Sequence, residues 1–250
     1  MRNKVVIIGC GNVGMSYAYA LLNQKTFVTD LVLIDVNQER VEGEAMDLSH
    51  GIPFAPSKIN ITSGTYGDCI DAKIVCICAG ANQRPGETRL DLIKRNYRVF
   101  REIVPKVMES GFEGTFLVAT NPVDAMSYFT YRLSGLPASH VIGSGTTLDT
   151  SRLRFLISEK LEINAKNVHA YVLGEHGDSE FVPWSHASVG LESIYSYLTK
   201  EELDELCEQV RNAAYEVIQR KGVTNYGICM CLVRITNAIL GNENTILSVS

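Results

Sequence analysis

Lys4-Val5-Val6-Ile7-Ile8 is an apolar, β-branched run. Gly9-Cys10-Gly11-Asn12-Val13-Gly14 follows at once, and then an Ala- and Leu-rich stretch from Met15 to Asn23. This is strand, G-x-G-x-x-G, helix, and few folds accept it. The first glycine allows a tight turn and the second lets backbone approach a pyrophosphate. The third lets helix and strand pack closely, with the helix N-terminus facing the anion. The flanking strand and helix, rather than the glycines alone, carry the inference. A second apolar strand, Leu31 to Ile34, ends at Asp35. That acid lies about twenty residues after Gly14, where a carboxylate hydrogen-bonds a ribose 2′-hydroxyl. An acid there repels a 2′-phosphate, which favours NAD over NADP. A flavin or another nucleotide on the same fold stays open on these features.

The alternation continues. Gln38 to Ser49 reads as a helix, Asn60 to Ser63 as a short strand, and Ile74 to Cys78 as a buried strand ending at Ala79-Gly80-Ala81. Leu90 to Ser110 reads as a long helix with a kink or break at Pro105. Thr115 to Ala119 is a strand ending at Thr120-Asn121-Pro122, Val123 to Ser134 a helix, and Val141-Ile142 a short strand. Repeated β-α units predict an α/β fold, a doubly wound parallel sheet of Rossmann type. Ligands of such sheets gather beyond the carboxyl ends of the strands, where Gly9, Asp35, Gly80, Asn121 and Ser144 fall. Further on, Ala165 to Leu173 and Glu180 to Trp184 read as strands. Thr199 to Lys221 reads as an amphipathic helix with Thr199 and Glu202 as a capping box, ended by Gly222. Asn225 to Leu240 is a second helix, and Thr245 to Val249 a strand. The expected organisation is a nucleotide-binding domain over residues 1–143 and an α+β substrate domain over 144–250.

The chain has 250 residues, enough to bury a sizeable core. Its net charge of -5, with no basic run, disfavours nucleic acid as a partner. No apolar run is long enough to span a membrane, and the N-terminus leads straight into a strand rather than a signal peptide. Seven cysteines, an odd number lying mostly in apolar runs, predict reduced thiols in the cytoplasm. Cys76 and Cys78 share a strand face but lack a further ligand set with zinc-like spacing, so no metal is expected.

Polar groups collect after the strands. Asn82 to Arg89, centred on Pro85-Gly86, is a surface loop. It is either a plain connector with Arg89 starting the next helix, or a lid that carries Arg89 to a substrate. Asn121-Pro122 is a candidate cis peptide. Asp149 and Arg152, three apart, share a helix face. They form either a surface ion pair of little worth or a buried first turn. In the second case Asp149 orients a histidine and Arg152 grips a carboxylate with its planar fork. Leu173-Gly174-Glu175-His176-Gly177-Asp178-Ser179-Glu180 sets a histidine on a turn among acids. It is either a surface loop or the place where a proton is given and taken.

These segments together resemble the NAD-dependent L-lactate dehydrogenases of the bacterial type, in the lactate/malate dehydrogenase family. The matching stretches are Gly9 to Gly14, Ala45-Met46-Asp47-Leu48-Ser49-His50, Cys78 to Arg89, Val118 to Asp124, Gly143 to Arg154 and Gly174 to Asp178. They run in family order over nearly the whole chain. The resemblance implies reversible hydride transfer between NADH and pyruvate, giving L-lactate and NAD, in a cytoplasmic homotetramer of glycolysis and fermentation. It implies that His176 donates the proton, with Asp149 its partner, Arg152 the carboxylate clamp and Arg89 the group that polarises the ketone. It places Asn121 beside the carbonyl and the nicotinamide, and Asp124 and Thr224 in the substrate pocket. Gly9, Gly11, Val13, Gly14, Asp35, Arg40, Tyr66, Gly80, Ala81, Ala119, Asn121 and Ser144 are the implied cofactor contacts. Physical reasoning agrees: hydride transfer to a ketone builds negative charge on oxygen, so a positioned acid and a cation lower the barrier.

Arg154 and His169 match positions that bind fructose 1,6-bisphosphate across a subunit interface in bacterial family members; the alternative is a surface arginine and a strand histidine. The family normally continues well past the position of Ser250. The expectation is therefore a fragment or a short protein, its last strand left with an unpaired edge. A genuinely short chain would leave an inactive NAD-binding homologue as an alternative to the enzyme. The malate and other 2-hydroxyacid dehydrogenases are the other alternative. Malate enzymes carry an arginine six residues before the loop arginine, and here Gln83 stands there. Arg84 is adjacent, but the spacing to Arg89 sets the register. A dicarboxylate beside Gln83 would leave a desolvated negative charge unpaired. Gln83→Arg is expected to shift the preference from pyruvate towards oxaloacetate. An unchanged ratio of kcat/KM for the two keto acids would remove Gln83 as the selector.

Overall fold

The computed structural model describes residues 2–81, 86 and 88–250. Gln83 and Arg84 lie outside the described residues. The chain forms two compact units. The first contains 1–144, 225–245 and Ser250; the second contains 145–224 and 246–249.

The first unit is built on six parallel strands. These are β1 (Lys4–Ile8), β2 (Asp30–Ile34), β3 (Asn60–Ser63), β4 (Ile74–Ile77), β5 (Thr115–Val118) and β6 (Val141–Gly143). They lie in the order β3-β2-β1-β4-β5-β6, which is the doubly wound order expected. β1, β2 and β4 are buried along their whole length. Continuous apolar runs of this kind are what a sheet covered on both faces requires. Register aligns their ends: Ile34, Ile8, Ile77, Val118 and Gly143 form one row across the sheet. The loops after these strands therefore leave from one edge.

Helices α1 (Asn12–Leu22), α2 (Gln38–His50), α3 (Arg89–Glu109) and α4 (Val123–Ser134) connect the strands. α3 runs through Pro105 without a break. Its Phe100, Ile103, Val104 and Val107 bury against Val6, Ile8, Val75, Ile77, Phe116 and Val118. Every second strand residue faces this layer, as the two-residue period demands. The Asn121-Pro122 peptide is cis.

The second unit holds α5 (Thr147–Leu161), a small antiparallel sheet of β7 (Val168–His169), β8 (Ser188–Val189) and β9 (Glu192–Ser193), and α6 (Lys200–Lys221). Its core joins Leu153 and Ile157 of α5 to Val168, Val172, Ala187, Leu203, Leu206 and Val210. α6 starts at the Thr199–Glu202 capping box and ends at Gly222 in the left-handed region, as its sequence predicts.

The compact units divide the chain differently from the expected ranges 1–143 and 144–250. α7 (Tyr226–Leu240) packs on α1 in the first unit, where the buried Tyr17 hydroxyl bonds Thr236 Oγ1 (2.5 Å) and Asn225 Nδ2 donates to Ser16 Oγ (2.7 Å). A fully buried phenol needs such a partner. The strands expected at 165–173 and 180–184 shrink to β7 and one bridge, Leu173 with Phe181. Residues 245–249 form no strand. Thr147 Oγ1 donates to Ser248 O (3.0 Å), so the stretch is held by a side chain rather than a ladder. Only Ser250 pairs with Gly143, through two backbone bonds.

All seven cysteines are free thiols. Among the described residues no helix is long and apolar enough to cross a membrane.

Candidate active site

In the first unit, the turn after β1 is shaped by backbone crowding. Gly9 has φ +100°, and a Cβ on Gly14 would lie 2.0 Å from the Gly9 carbonyl oxygen. Both positions therefore require glycine. A Cβ on Gly11 would meet nothing within 4 Å. No side chain caps the start of α1 and no acid stands in its first turn, so its leading N–H groups are suited to an anion. Asp35, just past β2, accepts from Cys10 N through Oδ2 (2.7 Å) and from Asn37 N through Oδ1 (3.2 Å). The carboxylate is thus tied to the glycine turn. An open cradle at Gly11 with a fixed acid beside it fits a dinucleotide.

Asn96 has no counterpart among the expected site residues. It is fully buried on α3, accepts from Ala81 N (2.8 Å) and donates to Asn121 O (2.7 Å). One side chain thus ties the segment after β4 to the segment after β5. A signal was present: Leu92, Asn96, Phe100 and Ile103 fall on one helical stripe, and a polar residue in such a stripe needs partners. Thr120 Oγ1 adds a bond to Ala79 O (2.8 Å). Ala119 N is bonded to Ile77 O (3.0 Å) and Ser144 N to Val118 O (2.9 Å), which places both at strand ends. Val13 is half-buried at the head of α1. Arg40 pairs with Glu44 on the exposed face of α2, and Lys106 lies over the Tyr66 ring. Asp124 accepts from Ser250 Oγ (2.5 Å). Arg89 is the first residue of α3, after Thr88 as N-cap.

In the second unit, α5 begins with Thr146 as N-cap and brings Asp149 into its first turn. Asp149 is 2 % exposed. Its Oδ2 lies 2.6 Å from His176 Nδ1, and its Oδ1 accepts from Arg152 Nη1 at 2.8 Å. The surface-pair alternative is thereby excluded for Asp149 and Arg152. Two threonines that sequence reasoning passed over hold the geometry. Thr146 Oγ1 donates to Val172 O (2.6 Å), and Thr150 Oγ1 accepts from Val172 N (2.9 Å). Leu173 and Phe181 then close the histidine turn with two backbone bonds of 2.9 Å. Thr224, half-buried, follows the end of α6. On the same unit Arg154 Nε donates to Ala170 O (3.1 Å) with its guanidinium over the Tyr171 ring, and His169 is exposed on β7.

Burial opposes charge on both partners of the central pair, and pairing overcomes it. For His176 the hydrogen bond and charge of Asp149 hold the pKa above the usual imidazole value. For Asp149 the hydrogen bond and charge of His176, with Arg152, hold the carboxyl below its usual range. The stability tied to His176 is present below its unfolded pKa and fades as pH rises through the raised one. That tied to Asp149 is present above its unfolded pKa and fades as pH falls through the lowered one. Glu180, 5 % exposed, is pushed up to about 7 by burial and then by the charge of Asp149. Asp149, His176 and Glu180 bring polar atoms within 4.8 Å of one another, but His176 Nδ1 and both Asp149 oxygens are already engaged in hydrogen bonds. Chemically the arrangement is a histidine held in one orientation, able to carry a proton, with a cation on the same carboxylate.

The profile of the lactate/malate dehydrogenase NAD-binding domain matches residues 3–143, and that of the lactate/malate dehydrogenase α/β C-terminal domain matches residues 146–250. The L-lactate dehydrogenase of Bacillus pumilus is 56% identical over 99% of this chain and 80% of its own length. The crystal structure of MGS-M5, a lactate dehydrogenase from a Medee basin deep-sea metagenome, superposes with a TM-score of 0.96 at 54% identity, covering all of this chain and 82% of its own. The ligand-bound minor L-lactate dehydrogenase of Enterococcus mundtii gives a TM-score of 0.97 at 52% identity, covering all of this chain and 81% of its own.

Asp149→Asn is expected to move the His176 titration to lower pH, because the charge that raised it is gone. It also leaves Arg152 without its carboxylate, at a cost of about 2 kcal/mol, below the fully buried case because the guanidinium is part-exposed. Ring-proton NMR and urea denaturation check the two effects. A His176 titration that stayed in place would contradict the pairing.

Proposed function

The chain belongs to the lactate/malate dehydrogenase family, and from that premise we propose that it transfers hydride reversibly between NADH and pyruvate, giving L-lactate and NAD. The observation that carries this reading is the buried Asp149 carboxylate, bonded at once to His176 and to Arg152. NAD, when bound, supplies the hydride chemistry. Gly9, Gly11, Gly14 and Asp35 would hold its pyrophosphate and adenosine ribose. Val13, Arg40, Tyr66, Gly80, Ala81, Ala119, Asn121 and Ser144 would complete that site.

With His176 Nδ1 committed to Asp149, the proton that moves is the one at Nε2. It passes to the ketone oxygen as negative charge builds there, and returns in the reverse direction. Asp149 stabilises the imidazolium in the meantime. Arg152 carries five N–H donors. One engages Asp149, and the fork has others for the substrate carboxylate. Arg89 is assigned to polarise the ketone, Asn121, Asp124 and Thr224 to line the substrate, and Gln83 to favour a monocarboxylate.

The subunits are further proposed to form a homotetramer in the cytoplasm, activated by fructose 1,6-bisphosphate. A cavity of about 670 Å³ between α1, α2 and α7 is lined by Met15, Tyr19, Leu48, Tyr226 and Met230. Tyr19 and Tyr226 are 61 % and 71 % exposed. An apolar surface of that kind suits a second copy of the chain. Arg154 offers its guanidinium and His169 an imidazole N–H to a phosphate.

Absorbance loss of NADH tests the reaction, with pyruvate and then oxaloacetate. Reduction of pyruvate needs the protonated ring, so kcat/KM is expected to fall as pH rises through the raised His176 pKa. Oxidation of lactate needs the neutral ring and should rise over the same window. Oxaloacetate turned over faster than pyruvate would make the enzyme a malate dehydrogenase, and no turnover of either would overturn the reading. Sedimentation velocity and pyruvate saturation curves test the assembly. A tetramer with left-shifted saturation in the bisphosphate is expected, and a monomer, or identical curves, would sink the corresponding proposal.

A further inference from the structure

Glu180 is one of the few buried acids in the chain, and its surroundings differ from those of a structural ion pair. It closes the same turn that carries His176, with its backbone N–H bonded to Gly177 O (3.1 Å) and its backbone carbonyl accepting from Arg211 Nη2 (3.3 Å). From α6, Arg211 reaches the main chain of Glu180, while the same guanidinium pairs with Glu208. The Glu180 carboxyl group lies within 4.8 Å of that of Asp149, another acid, whose charge adds to burial in pushing the Glu180 pKa up. Glu180, Asp149 and His176 offer atoms within 4.8 Å of one another, both acids buried and the histidine part-buried. Arg152 stands beside Asp149 on α5, Glu175 and Asp178 lie exposed on the same turn, and Arg211 of α6 pairs with Glu208.

Two carboxyl groups so close in a buried site do not both ionise readily. Asp149 keeps its charge because Arg152 and His176 both bond to it. The proton between the two acids therefore rests on Glu180. A neutral Glu180 adds no second charge beside Asp149. Once ionised, it adds a second negative charge beside His176.

We propose that Glu180 is a positioning residue of the proton-transfer pair: it holds a proton against Asp149 and thereby sets the pH at which His176 is charged. The group acts through Asp149 and His176 and needs no contact with substrate. Its titration lies within the working range, so the loss of the His176 proton and the loss of the Glu180 proton are linked steps of one coupled system. This inference rests on the reading of His176 as the acid-base group, but the measurement below does not need turnover.

The ring-proton NMR titration of His176 in the unaltered protein is expected to be biphasic or broadened beyond a single ionisation. In Glu180→Gln, which keeps a neutral hydrogen-bonding side chain and removes the titrating charge, it should become a single step at a pH lower by about one unit. The alkaline limb of the pyruvate kcat/KM profile should move by the same amount. Glu180→Asp, which keeps an acid, should retain the two-step curve. A merely structural role would lower stability or scale kcat at every pH and leave the titration in place. A single-step wild-type titration, or superimposable wild-type and Glu180→Gln titrations, overturns the proposal. Absence of turnover with an altered titration would instead overturn the assigned reaction while leaving this inference standing.

Discussion

A single buried carboxylate, Asp149, organises the second unit. A carboxylate 2 % exposed cannot stand unpaired, because desolvating a lone charge costs more than the local packing returns. It therefore dictates what surrounds it. Arg152 follows one helical turn later, where a side chain three residues on shares its face. His176 is brought from a turn 27 residues away, and the threonines of α5 clamp the backbone of Val172 so that the turn arrives at the right distance. The same need for compensation makes the site chemically competent. A histidine whose Nδ1 is locked in a hydrogen bond has a defined orientation, and one beside an anion holds its proton near neutral pH. Stability and proton chemistry here depend on one contact.

The first unit solves a different problem, that of placing several loops side by side without side-chain mass between them. The sheet does most of this by register, ending five neighbouring strands in one row. Backbone then approaches backbone. The Gly9 turn sits against Ala79 so closely that a Cβ would come within 2.3 Å of its nitrogen. Where loops cannot touch directly, Asn96 spans them, using its amide as acceptor on one side and donor on the other. Asp at that position could only accept, and Leu could do neither.

Much of this was legible in the residues. The order of strands and helices and the capping box at Thr199 follow from local pattern, because each leaves a signature within a few residues, and the pairing of Asp149 with His176 follows from family likeness. What was not legible depends on partners distant in the chain. The helix at Tyr226–Leu240 reads correctly as a helix, yet its place on α1 is decided by Tyr17 and Thr236, 219 residues apart. The apolar runs at 165–173, 180–184 and 245–249 look like strands. Their backbone groups are instead satisfied mainly by short turns and threonine hydroxyls, which no periodicity reveals. Glu180 is polar and sits among acids in a turn, so residue type points to solvent. Only the closure of the turn by Leu173 and Phe181 shows it to be buried.

The three glycines of the first turn separate along a line that the motif conceals. Gly9 and Gly14 answer to the protein's own backbone, which any larger side chain would have to push aside. Gly11 answers to nothing in the chain. A screen for folded protein would therefore reject substitutions at the outer two and pass many at the middle one. A screen for nucleotide affinity would reject all three. The motif is thus two constraints superimposed, one imposed by folding and one by the ligand. Its middle position is where a lineage could abandon the cofactor without losing the fold.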